Sequence, residues 1–196
     1  MKLNLPNKIT VSRIIIGILM IIILIVPWYN LGINMPKYVV NGEIIKLEYI
    51  IAGVMFIIAS LTDFIDGKIA RSRNMVTDFG KVADAIADKI LVNGLLIILA
   101  YDRMIPVVIP VVIITRDIIV DSCKMVCGNK GKVVAASIWG KAKTMFMMIG
   151  LTLTMFNNIP FSFINLPLDK FLIIVATVLS IISGYQYYKN SKKYLF

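Results

Sequence analysis

Six stretches of this chain are apolar for roughly 20 residues, the length of α-helix that crosses a bilayer core. They cover residues 9–28, 47–66, 80–100, 105–127, 138–156 and 170–188. The first, second and last are apolar almost throughout. The third carries Asp84, Asp88 and Lys89 in its first turns, and the fourth carries Arg116 and Asp117 near its middle. The fifth is rich in methionine and opens on Gly140-Lys141-x-Lys143-Thr144. No internal repeat or low-complexity linker separates these stretches. The pattern predicts an all-α integral membrane protein, a six-transmembrane-helix bundle forming a single domain over residues 1–196. The basic lead-in before residue 14 has the look of a secretory signal, but no small-x-small cleavage site follows it. It reads as the entry to a retained first span, with Pro6 in the first turn and Asn4 or Asn7 as cap.

Composition agrees with the pattern. Of 196 residues 59% are hydrophobic, against about 45–50% in an ordinary soluble domain, and the mean hydropathy is +0.85. The formal net charge of +10 does not point to nucleic acid, because the basic residues lie between apolar runs rather than along one face. Their distribution gives a topology instead. With six spans, one side holds both termini and the second and fourth loops, and carries most of the Lys and Arg. The opposite loops carry only Lys37, Lys46, Arg103 and Lys170. Both termini are therefore expected on the cytoplasmic side of the cell membrane. Histidine is absent, which excludes imidazole metal sites and Ser-His or Cys-His catalysis. Any general base must be a carboxylate, lysine, tyrosine or cysteine. Cys123 and Cys127 read as free buried thiols.

The densest chemistry lies between residues 63 and 88, DFIDGKIARSRNMVTDFGKVADAIAD, which holds five of the eleven acidic residues. Asp63 and Asp66 are spaced i,i+3, and Asp84 and Asp88 are spaced i,i+4, so each pair shares one helix face. Turned toward each other, the two faces would form an oxygen-rich cage for a hard divalent cation. Gly67 and Ala70 permit close approach of a ligand or a helix, and Arg71 adds a cation one turn on. Gly80 opens the next span with Thr77 or Asp78 as its cap, and a helix N-terminus beside Lys81 suits phosphate. The competing reading of the aspartates is ion pairing with Arg71, Lys81 and Lys89.

These residues carry a resemblance. Asp63-x-x-Asp66-Gly67-x-x-Ala70-Arg71, eight residues, then Gly80-x-x-x-Asp84-x-x-x-Asp88 resembles the full signature of the CDP-alcohol phosphotransferases, with every fixed position matched. The resemblance implies six membrane helices, a homodimer, a site facing the cytoplasm, and transfer of a phosphate-bearing group from a CDP-linked lipid to an acceptor hydroxyl with release of CMP. It implies that Asp63, Asp66, Asp84 and Asp88 hold one or two Mg²⁺ or Mn²⁺ ions. Asp88 would also act as catalytic base, and Asp66, Gly67, Ala70, Arg71 and Gly80 would contact CDP.

Three further strings are similar to the phosphatidylglycerophosphate synthase branch, which joins CDP-diacylglycerol to sn-glycerol 3-phosphate. They are Pro6-Asn7-x-x-Thr10-x-x-Arg13, Thr115-Arg116-Asp117 and Gly140-Lys141-x-Lys143-Thr144. Ala85 stands where that branch usually has proline, and Lys124 where arginine is common. A dianionic acceptor needs cations, and Lys81, Arg116, Lys141 and Lys143 are the candidates for its phosphate. Against this, Asp117 and Asp121 can pair Arg116 structurally, and the lysines can serve as topology charges. Two other functions remain open: a family member with a different acceptor, such as a cardiolipin or phosphatidylinositol phosphate synthase, and a cation transporter or proton relay.

Overall fold

In a computed structural model the apolar stretches form six α-helices: α1 (Leu5–Ile25), α2 (Leu47–Ser72), α3 (Asp78–Tyr101), α4 (Val108–Asn129), α5 (Ile138–Met155) and α6 (Leu168–Leu195). The structure describes residues 4–72, 77–131, 137–159 and 161–195. The side chains of Leu5, Asp66, residues 68–72 and residues 193–195 fall outside that description.

Local chemistry sets the helix starts. Asn4 caps α1 by accepting from the Asn7 amide at 3.0 Å, with Pro in the first turn. Thr77 caps α3 by accepting from the Gly80 amide at 3.0 Å. Ser137 caps α5 through the Gly140 amide at 3.1 Å. Each side-chain oxygen satisfies an amide that has no partner in the first turn.

Helix α1 packs on α2 and α3, and α6 packs on α4 and α5; the two halves meet through α2–α5 and α3–α4. One apolar core runs through all six helices, from Met20 and Phe56 through Leu95 and Ile113 to Met147 and Ile173. Outside that core α1 still presents Ile15, Ile18, Leu19, Ile22 and Ile25. A helix that is apolar on its outer face as well as its inner one belongs in lipid. By length and composition three segments suit a membrane crossing: Pro6–Ile25, Leu47–Ile65 and Leu168–Lys192. The protein is thus a helical, multi-pass membrane protein. Among the described residues α3, α4 and α5 do not reach that measure, because they carry the charged residues that pair across the bundle.

One element departs from the all-α expectation. Between α1 and α2 lies a two-stranded antiparallel hairpin, β1 (Lys37–Val40) and β2 (Glu43–Lys46), with Val40 opposite Glu43. Asn41 and Gly42 form its turn at φ 52° and 79°, the left-handed pair that two-residue hairpins favour. The Asn-Gly dipeptide is a readable hairpin signal that hydropathy alone passes over.

The connections alternate between the two ends of the bundle. At one end the hairpin meets the α5–α6 connection, where Asn157 Nδ2 donates to the Ile44 carbonyl at 3.2 Å and Asn41 Nδ2 to the Ser162 carbonyl at 3.1 Å. Tyr49 on α2 donates to Asp102 just past α3 at the same end. The other end gathers the start of α1, the end of α2 and the start of α3.

Candidate active site

At that second end the first turns of α1 lock onto α3. Asn7 is buried, and its Oδ1 accepts from Thr77 Oγ1 at 3.1 Å. A Cβ on Gly80 would lie 2.8 Å from Asn7 Oδ1 and 3.1 Å from Thr77 Oγ1. Glycine at this position is what lets α1 reach the cap of α3. One turn further along α1, Thr10 donates to Asp84 Oδ1 at 2.8 Å.

Arg13, one turn beyond Thr10, has a wholly buried side chain. Its Nη1 donates to Asp63 on α2, and its Nη2 donates to Asp84 Oδ1 on α3 at 3.0 Å. The aspartates keep 38% and 47% of their side-chain surface. The guanidinium therefore stands behind them and ties them together, leaving part of each carboxylate open. Arg13 Nε has no hydrogen-bond partner among the described residues. The sequence motif includes both aspartates but not the arginine that joins them.

Asp88 lies one turn deeper on α3. With Lys89, Asn93, Asp117, Lys143 and Thr144 it lines a cavity of 80 Å³ between α3, α4 and α5. Lys143 is 10% exposed at its side chain, and its Nζ donates to Asp117 Oδ1 at 2.9 Å. Arg116 Nη1 donates to the same oxygen at 2.8 Å. One carboxylate thus serves two cations in a desolvated setting, where charged partners must compensate one another. Arg116 is completed by α6, with Nη2 donating to Ser183 Oγ at 2.7 Å and Nε to the Ser180 carbonyl at 3.2 Å. A Cβ on Gly184 would fall 2.9 Å from Arg116 Cγ, so the guanidinium lies against a stretch of α6 cleared for it. Ser180, Ser183 and Gly184 went unremarked in the sequence because they sit inside an apolar run.

Two predicted phosphate-binding lysines lie elsewhere. Lys81 donates to Asp78 at 2.9 Å on the open surface of the first turn of α3. That hydrogen bond, reinforced by the lysine charge, holds the Asp78 carboxyl below the usual carboxylate range. Lys141 is exposed on α5. Lys89 pairs with Asp121 on α4, which Lys124 also reaches at 3.2 Å. Asp121 does not pair with Arg116 among the described residues. Gly67 lies on α2 one residue past Asp66. The predicted CDP contacts through the side chains of Asp66, Ala70 and Arg71 lie outside the described residues, as does the metal contact of Asp66. Among the described residues no three acidic side chains gather as a metal cluster. Cys123 and Cys127 are free and buried.

The arrangement offers two joined functions. Hard carboxylate oxygens held from behind by Arg13 suit a divalent cation, whose preferred ligands are oxygen. A partly buried group of Lys143, Asp117 and Arg116, the first two lining the cavity with Asp88, suits an anion whose hydroxyl must be deprotonated.

Comparison with known proteins gives the same direction. The CDP-alcohol phosphatidyltransferase family model matches residues 3–182. The chain is 36% identical over 188 residues to the CDP-diacylglycerol–glycerol-3-phosphate 3-phosphatidyltransferase of Bacillus subtilis (strain 168), covering 96% of this chain and 95% of that one. It is 33% identical over 192 residues to the enzyme of the same name from Rickettsia bellii, with 97% of each covered. It is 34% identical over 156 residues to that of Mycoplasma pneumoniae, covering 78% of this chain and 68% of the relative. With the signature aspartates brought to one end of a six-helix bundle, and the match running through nearly all of its length, the chain belongs to the CDP-alcohol phosphatidyltransferase family.

Proposed function

We propose that this enzyme transfers the phosphatidyl group of CDP-diacylglycerol to sn-glycerol 3-phosphate, giving phosphatidylglycerophosphate and CMP. The observation that carries the reading is the juxtaposition along α3. Asp84 is bound to Arg13 and Thr10, and one turn away Asp88 shares a cavity with Lys143 and Asp117. Donor and acceptor chemistry are thus side by side. The names of relatives that match almost end to end support the choice of substrates.

In this reading Asp63, Asp66, Asp84 and Asp88 hold one or two Mg²⁺ or Mn²⁺ ions. Such ions neutralise the diphosphate and the departing CMP. Arg13 keeps Asp63 and Asp84 at a fixed separation. Asp66, Gly67, Ala70, Arg71 and Gly80 contact the cytidine diphosphate. Asp88 accepts the proton of the acceptor hydroxyl as that oxygen bonds to the lipid-bearing phosphorus and the bond to CMP breaks. In a chain without histidine a carboxylate is the natural base. Arg116 and Lys143 hold the acceptor phosphate, with Asp117 setting their positions. Lys81 and Lys141 contribute attraction at the entrance. The charge asymmetry of the loops supports six spans, cytoplasmic termini and a site facing the cytoplasm of the cell. Family resemblance supports a homodimer.

The test is CMP release by purified protein supplied with CDP-diacylglycerol. Release that requires both glycerol 3-phosphate and Mg²⁺ or Mn²⁺ is the expected result. Release only with inositol phosphate or with a second lipid moves the enzyme to another branch of the family. Ion flux in liposomes with no CMP release under any acceptor defeats the enzyme reading.

A further inference from the structure

Helix α6 grips Arg116 along the length of its side chain. Ser180 and Ser183 are both buried. The Ser183 hydroxyl has a single hydrogen, and it goes to the Ser180 carbonyl at 3.1 Å. Its oxygen is thereby turned to accept, and Arg116 Nη2 donates to it at 2.7 Å. Arg116 Nε donates to the same Ser180 carbonyl at 3.2 Å. Nε, Nη2, the hydroxyl and the carbonyl close a ring of hydrogen bonds around one edge of the guanidinium. Behind the head, Gly184 clears the stem: a Cβ there would stand 2.9 Å from Arg116 Cγ and 3.4 Å from Nε.

The guanidinium is coupled in turn to the cavity that Asp88 lines. Nη1 donates to Asp117 Oδ1 at 2.8 Å, and Lys143 Nζ donates to that same oxygen at 2.9 Å. Asp117 and Lys143 both line the cavity. A shift of the Arg116 head therefore moves the carboxylate that holds Lys143. Nη1 and Nη2 each carry a second N–H, which no described residue accepts, and the side chain keeps 18% of its surface. An arginine placed in an apolar span for structure alone would spend its donors on the protein, because an unmet charge there is costly. Here one edge is anchored and the terminal nitrogens retain donors, which suits two oxygens of a phosphate.

We propose that Ser183 is a positioning residue for the phosphate of the acceptor. It does not touch the acceptor; it fixes the direction of the Arg116 fork and, through Asp117, the place of Lys143. The inference rests on the reading that Arg116 and Lys143 receive that phosphate. Without the Ser183 hydroxyl, Nη2 loses its partner on α6, and the head is tied only through Nε and Asp117. The donor site is held by other contacts, with Thr10 and Arg13 of α1 bonded to Asp84. The effect therefore falls on the acceptor.

Steady-state CMP release by the full-length protein tests this, with glycerol 3-phosphate and CDP-diacylglycerol varied in turn. Ser183→Ala should raise KM for glycerol 3-phosphate by about fivefold, as for a weakened charge-assisted contact. Its kcat and its KM for CDP-diacylglycerol should stay within about twofold, the pattern of lost acceptor binding. Gly184→Ala, which displaces the arginine stem and keeps the hydroxyl, should raise the same KM and serves if Ser183→Ala does not fold. Ser191→Ala, which removes another buried hydroxyl of α6 that has no partner among the described residues, should leave all three constants unchanged. In an Arg116→Met background Ser183→Ala should add nothing, since its effect passes through the arginine. An unchanged acceptor KM in Ser183→Ala, a parallel change in kcat and both KM values, or an undiminished effect in the Arg116→Met background would each overturn the positioning role. No CMP release by the unmodified protein with glycerol 3-phosphate would instead overturn the acceptor reading, and the proposal with it.

Discussion

Arg13 Nη2 donates to Asp84 Oδ1 at 3.0 Å, joining the first helix to the third, while the same guanidinium reaches Asp63 on the second. A wholly buried arginine with two partly open carboxylates is a brace. Its removal leaves two like charges close together and takes away the guanidinium that ties α1, α2 and α3 at one point.

Arg13→Ala is therefore expected to destabilise the fold by roughly 2 kcal/mol. This lies below the 3–5 kcal/mol for breaking a fully buried pair, because water screens the open carboxylates. Arg13→Lys keeps the charge but not the fork that spans two acids. It should retain most stability yet lower kcat, since small misplacements of reacting groups are costly. Thermal unfolding and CMP release measured on both variants separate the two effects. Equal activity of Arg13→Lys and the unmodified enzyme would remove the brace from the mechanism.

Asp88→Asn should reduce turnover by about 10²–10⁴-fold, the range for losing a general base, while CDP-diacylglycerol still binds. Asp66→Asn should weaken metal-dependent nucleotide binding as well. Titration of nucleotide binding with and without Mg²⁺, beside single-turnover CMP release, distinguishes base from ligand. Chelation with EDTA should abolish release, and Mg²⁺ or Mn²⁺ should restore it.

Lys143→Met should raise KM for glycerol 3-phosphate by about tenfold or more, as expected for losing a charge-assisted hydrogen bond, with little effect on KM for CDP-diacylglycerol. Lys81→Ala and Lys141→Ala should change it by roughly twofold or less, because exposed charges act weakly through screened water. Acceptor saturation curves for the three variants check the ranking. A larger effect at Lys81 or Lys141 than at Lys143 would relocate the acceptor phosphate.

Gly80→Ala places a methyl against Asn7 Oδ1, where the gap is 2.8 Å. Overpacking of this kind costs about 1–3 kcal/mol. The partner substitution Asn7→Ala removes the obstructing oxygen, so the double variant should recover part of the loss. A double-mutant cycle on Tm measures that coupling; strict additivity would show that the two residues do not meet.

Much of the fold was legible because its signals are short-range. Twenty-residue apolar runs locate helices, and Asn4 and Thr77 cap the amides a few residues ahead of them. What the apolar pattern does not show has physical causes too. The hairpin escapes it because its Asn41-Gly42 turn lies between strands of four residues each, too short for an apolar run. Lys81 stands at a helix N-terminus, and in the structure it bonds Asp78 in its own turn, a partner present in the sequence at i,i+3.

The sequence by itself determined the chemistry of the site: four aspartates at helical spacing, an arginine-bearing fourth helix and no histidine, all properties of residue type and interval. Only the tertiary structure decided which charges work together. Arg13 reaches acids 50 and 71 positions away, Lys143 reaches Asp117 across 26, and Arg116 rests on serines 64 and 67 positions further on. A linear interval fixes a helix face, because the backbone repeats every 3.6 residues. Partners on different helices are chosen by packing, since a charge inside an apolar bundle must find whatever counter-charge the neighbouring helices bring within reach.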